Sequence, residues 1–77
     1  MTITLEEKLR ARLSLPRPEA RRALRIAAGA SLTDVAGAVG VTRAAVSCWE
    51  QGIYEPSSVH AEAYARVLEM LREVSGS

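Results

Sequence analysis

Between residues 29 and 58 the chain is cut at short intervals by the same pair of signals, a glycine that stops a helix and a hydroxyl residue that starts the next. Gly29 is followed by Ser31, Gly40 by Thr42, and Gly52 by Pro56 and the serines Ser57 and Ser58. Glycine supplies the left-handed residue that commonly ends a helix, and a serine or threonine oxygen accepts from a backbone N–H of the following first turn. Spacing of this kind leaves room only for helices of two to three turns. A chain of 77 residues buries only about 60% of its unfolded surface, enough for one core and not two. Two tyrosines, one tryptophan and no phenylalanine favour aliphatic helix packing over a β-sandwich.

The expected class is therefore all-α, a compact five-helix domain with an additional short N-terminal helix. Thr4 and Glu7 have capping-box spacing, and Leu5, Leu9 and Leu13 recur every four residues, which predicts a first helix near 5–14. The "LPRP" stretch ends it. Pro18 suits the first position of a second helix that runs to Gly29 and is expected to turn Leu24, Ala27 and Ala28 inward. Ser31 and Asp34 predict a capping box for a third helix with Val35, Ala36 and Val39 on its inner face. Gly37 in its interior costs about 1 kcal/mol against alanine; either a neighbouring helix approaches there or the cost is tolerated, and tolerance is the simpler expectation. Thr42 caps a fourth helix with Val46 and Trp49 inward. Ser57 or Ser58 caps a last helix with an apolar stripe of Tyr64, Val67, Leu68, Leu71 and Val74. The organisation expected is a helix or arm over 1–17, a domain over 18–74 with its motif near 32–51, and a frayed tail over 75–77.

Composition excludes several classes. One cysteine cannot close an internal disulfide, and with one histidine it cannot complete a four-ligand zinc site. No metal or other cofactor is expected, no small-molecule substrate is evident, and a lone histidine without a nucleophile arrangement argues against an enzyme. The first residues carry charges where a signal peptide needs an apolar run, and no apolar window approaches a membrane span. A cytoplasmic protein is expected. The net charge of +1 conceals an asymmetry: residues 1–28 hold seven cations against three carboxylates, +4, and residues 29–77 hold three against six, −3. A basic front either meets a polyanion or lies on a solvated helix face.

The stretch from Leu32 to Gln51 carries the functional signal. Two short helices joined by a glycine turn need a small residue where they cross and apolar anchors at fixed offsets. Ala36 is the small residue, Gly40 makes the turn, and Val35, Val39, Val41, Val46 and Trp49 are the anchors. With "LRIAAGAS" before the motif and "VTRAAVSCWEQG" as its second helix, the sequence from about Arg21 to Leu68 resembles the lambda-repressor-like, Cro/repressor-type (XRE-like) helix-turn-helix family. That resemblance implies a second helix seated in the DNA major groove, with Thr42, Arg43, Ala44, Ser47 and Cys48 on its outward face and a partly buried ion pair between Arg25 and Glu50. It also marks two departures. Leu32 stands where a glutamine commonly bonds a phosphate, and Glu55 where a loop residue is often basic.

The residues themselves point the same way. Arginine can bond guanine O6 and N7 with both arms, so Arg43 is the main candidate reader, with Ala44, Ser47 and Cys48 beside it. Small side chains let the helix backbone approach the groove, and alanine methyls can meet thymine methyls. Ser31, Thr42, Tyr54 and Ser57 are the candidate phosphate contacts, with Ser47 as a further hydroxyl, although plain capping explains Ser31, Thr42 and Ser57 equally well. Arg17, Arg21 and Arg22 reach the backbone only if their helix end lies near the duplex. Trp49 reads as core and His60 as surface.

One such module reads few base pairs, so a homodimer on a near-palindromic double-stranded operator is expected, with Tyr64, Val67, Leu71 and Val74 either a dimer seam or simply core. The implied function is a phage-type or bacterial transcriptional regulator, in all expectation a repressor. The competing reading is a protein-interaction module, an antitoxin or adaptor, supported by the acidic second half, Leu32 and Glu55.

Overall fold

The computed structural model describes residues 4–7 and 15–76. Its described residues are helical or irregular, with no strand among them. The first helix, α1, is described over residues 5–7. Its capping box forms as the spacing predicts: Glu7 N–H donates to Thr4 Oγ1 at 3.2 Å, and Thr4 N–H to Glu7 Oε2 at 3.4 Å. The remainder of the helix expected near 5–14, including Leu9 and Leu13, lies outside the described residues.

Four further helices follow, α2 (Pro18–Ala27), α3 (Leu32–Val39), α4 (Arg43–Gln51) and α5 (Ser58–Ser75). Each begins and ends near its sequence signal. Proline opens α2, whose end is turned by Gly29 at φ +76°. Ser31 and Asp34 exchange both bonds of a capping box at 2.9 Å each, and hydrogen bonding from the Ser31 backbone, then from its side chain, holds the Asp34 carboxyl below its usual range. Thr42 Oγ1 accepts from Ala45 N–H at 3.2 Å to start α4. Gly40 and Gly52, both left-handed, end α3 and α4. At Gly52 a side chain is unfavourable because φ is +73°, while a Cβ would only touch the Pro18 ring at 3.4 Å. Helix α5 runs one residue further than its periodicity predicts, through Ser75, with Gly76 as C-cap.

The core joins α3, α4 and α5 through Val35, Ala36, Val39, Val46, Trp49, Tyr64, Leu68 and Leu71. Helix α2 packs on α4 and α5, and α3 packs on the same two helices. The alternative set by Gly37 resolves towards tolerance, because a Cβ there would meet nothing within 4 Å.

Two inward assignments need correcting. Ala27 is exposed, and so is Val74 at 56%. On α2 the stripe that turns inward is Arg21, Leu24, Arg25 and Ala28, a regular i, i+3, i+4, i+7 face. Two of its four members are arginines, which a hydrophobicity pattern assigns to water. Val74 lies beyond Leu71, the last residue of α5 in the core cluster.

Candidate nucleic-acid interface

Helix α4 is held from behind by two arginines one turn apart on α2. Arg25 meets Glu50 with both arms, Nε to Oε2 at 2.7 Å and Nη2 to Oε1 at 2.9 Å, and its Nη1 donates to the Ala30 carbonyl at 3.1 Å. The Arg25 and Glu50 side chains are only 13% and 5% exposed. Hydrogen bonding to Glu50 raises the already high Arg25 pKa further, against the opposing effect of burial. A bidentate pair fixes orientation as well as distance, so the end of α4 is set at one angle to α2.

Arg21 makes the second clamp and is buried. Its Nε donates to the Pro16 carbonyl at 2.8 Å, Nη1 to the Trp49 carbonyl at 3.1 Å and Glu55 Oε2 at 3.0 Å, and Nη2 to Glu55 Oε1 at 2.6 Å. The Trp49 carbonyl belongs to the last turn of α4, where carbonyls lack intrahelical donors and the helix dipole is negative. A guanidinium there satisfies both. The same side chain ties the linker before α2 to the loop after α4.

This arrangement corrects one expectation. Arg21 is spent inside the domain and is not a DNA-backbone arm, whereas Arg17 and Arg22 are exposed. Glu55 is paired with Arg21 although its side chain is 59% exposed, and Leu32 packs partly buried against the core. Part of the charge asymmetry along the chain is therefore internal: two of the seven cations of the first half are bonded to two of the six carboxylates of the second, which leaves +2 and −1 on the two halves.

The outward side of α4 is uncovered. Thr42, Arg43 and Ala44 are exposed, and Ser47 and Cys48 are half-buried, opposite Val46, Trp49 and Glu50 on the inner face. Thr42, Tyr54 and Ser57 line one open hollow beside the start of α4, with Trp49 and His60 on its wall. Ser31 stands apart at the start of α3 and does not line it. Partial desolvation, and then the neighbouring Cys48 side chain, raise the Tyr54 phenol above its ordinary pKa. One candidate base reader and one candidate phosphate contact are thus adjacent. Ser57 Oγ lies 3.2 Å from His60 Nδ1 rather than bonding the first turn of α5. His60, expected at the surface, is half-buried with its ring 6.4 Å from that of Trp49.

The family model described as a helix-turn-helix domain matches residues 22–75, well over half of the chain. The chain belongs to the helix-turn-helix domain family. No curated protein and no solved structure matches it. Helices α3, α4 and α5 and the second half of α2 lie within the matched residues, with the Gly40 turn joining α3 to α4. No group of three metal-ligating side chains occurs among the described residues, and no described helix is long and apolar enough to cross a membrane.

Sequence reasoning missed Arg21 and Glu55 as a clamp on the end of α4. Arg21 had one readable signal, its position four residues before Arg25, the arginine already expected to face Glu50. Glu55 gave none, because only the fold brings it to Arg21. The bond from Arg21 holds the Glu55 carboxyl below the usual carboxylate range, although desolvation opposes it. A depressed carboxylate contributes stability above its unfolded pKa and loses it as pH falls through the folded one. Glu55→Gln is therefore expected to lower the melting temperature at pH 7, with the difference from wild type shrinking as the pH is taken below the ordinary carboxylate range. Equal differences at every pH, measured by circular dichroism melts, would remove the ionic part of this clamp.

Proposed function

We propose that this helix-turn-helix domain is a sequence-specific double-stranded DNA-binding transcriptional regulator of the lambda-repressor-like type, acting as a repressor in a bacterial cell or phage-infected host. The observation that carries this reading is the uncovered Arg43 and Ala44 side of α4, on a helix whose far end is clamped by two arginines. A helix fixed at its base and bare on its outer face is suited to enter a groove. In this reading Arg43, Ala44, Ser47 and Cys48 meet base edges, and Ser31, Thr42, Tyr54 and Ser57 meet phosphates. Residues 18–74 form the binding unit. Two copies related by a two-fold axis place their α4 helices about 34 Å apart on a near-palindromic operator.

Selection of bound sequences from random duplexes tests the whole reading, followed by titration of the selected duplex at increasing salt. Log affinity is expected to fall against log salt with a slope of about 0.9 per neutralised phosphate. A slope near zero would transfer the surface to a protein partner. Arg43→Ala is expected to remove roughly 1 to 3 kcal/mol of preference at one guanine position, with the melting temperature unchanged because the side chain is exposed. An equal loss on every sequence would make Arg43 a phosphate contact.

A further inference from the structure

We infer that Gln51 reads DNA together with Ser47, and that the pair selects adenine. The inference rests on the reading that α4 lies in the major groove. Gln51 is exposed in the last turn of α4, on the side that carries Ala44, Ser47 and Cys48 at helical spacing. Its Nε2 donates to the Ser47 carbonyl at 3.3 Å and to Ser47 Oγ at 2.9 Å. A carbonyl can only accept, so this contact decides which end of the amide faces Ser47: the nitrogen.

Two consequences follow from that orientation. The amide nitrogen of Gln51 is engaged within the helix, which leaves its carbonyl oxygen as the acceptor of the pair. Ser47 Oγ accepts from Gln51, so its own proton is available to a partner outside the helix. Neither the Ser47 proton nor Gln51 Oε1 has another partner among the described residues. The pair therefore offers one donor and one acceptor side by side on the uncovered face.

Base edges in the major groove differ in this respect. Guanine presents two acceptors, cytosine a donor, thymine an acceptor and a methyl group, and adenine an acceptor, N7, next to a donor, N6–H. Only adenine matches a donor and an acceptor on a single base. Ser47 Oγ–H to N7 and N6–H to Gln51 Oε1 complete the match. Arg43 lies eight residues away, about 12 Å of helix rise, so the guanine it reads belongs to a different base pair. A half-site is expected to contain both bases.

The test is selection from random duplexes, run in parallel on wild type, Ser47→Ala, Gln51→Ala and Gln51→Glu, with melting curves to confirm folding. Wild type is expected to select an adenine in each half-site. Ser47→Ala and Gln51→Ala should each reduce the preference at that position by roughly tenfold or more while the guanine preference stays. Gln51→Glu, whose carboxylate can only accept, should shift the position towards cytosine, whose N4–H₂ is a donor. A wild-type consensus without adenine, or one that both alanine variants retain in full, overturns the inference and leaves the DNA-binding reading intact. A wild type that selects no consensus at all overturns that reading, and the inference with it.

Discussion

Glu50→Ala is expected to destabilise the domain by about 3 to 5 kcal/mol. The substitution removes the carboxylate that meets both arms of Arg25 at 2.7 and 2.9 Å, and the guanidinium it leaves behind is 13% exposed. An arginine cannot shed its charge, so the cost of burying it unpaired stays in the folded state. A small domain has about 5 to 15 kcal/mol in all, so this loss takes much of the total. Urea denaturation checks it through the midpoint. The double replacement Arg25→Met with Glu50→Leu should recover most of the midpoint, since neither charge is then left alone. It should not recover DNA selectivity, because an apolar contact does not fix the angle of α4 as a bidentate pair does. A single mutant with the wild-type midpoint would mean that the pair contributes nothing to folding.

Trp49→Ala is expected to cost about 3 to 5 kcal/mol, through lost apolar burial and the cavity left behind. Trp49 is 2% exposed and stands against Tyr64 with ring centroids 4.8 Å apart. Burial pushes the Tyr64 phenol up to about 12, with the Glu50 carboxylate adding to the effect, so the ring beside Trp49 stays neutral well into the alkaline range. The indole nitrogen is the one buried side-chain polar atom among the described residues without a partner. An unsatisfied buried donor costs about 1 to 3 kcal/mol. Trp49→Phe removes that cost along with part of the ring, and should therefore lie much nearer wild type than Trp49→Ala. Thermal melts of the two variants check the ordering. Equal losses would show that ring volume at this position does not set the cost, contrary to the burial argument.

The helix boundaries and the glycine-turned pair α3 and α4 were legible because their causes are local. A capping hydroxyl acts on an N–H three residues away, and a glycine stop acts on the residue it occupies. Ser31, Thr42, Gly40 and Gly52 all stand where the chain's pattern puts them. The apolar faces of α3 and α4 were legible for a related reason, since Val35, Ala36, Val39, Val46 and Trp49 repeat at helical spacing. The inner face of α2 was legible only in part: Leu24 and Ala28 follow from its pattern and Arg25 from the resemblance, whereas Arg21 does not. The period of that face is as regular, but arginine at an inward position has the same letter as arginine in water. Only a carbonyl or carboxylate from elsewhere in the fold makes its burial affordable.

By itself, then, the amino-acid order determined that this chain is a set of short capped helices with a glycine-turned pair at its centre, and that Arg43 and Ala44 would share a face with no apolar neighbour. The tertiary structure alone decided where Arg21 and Glu55 find their partners. Arg21 reaches the Trp49 carbonyl 28 residues on and Glu55 34 residues on. No local rule encodes a partner at that separation, because the energy of a guanidinium depends on what the folded chain brings within about 3 Å of it, and not on its neighbours along the backbone.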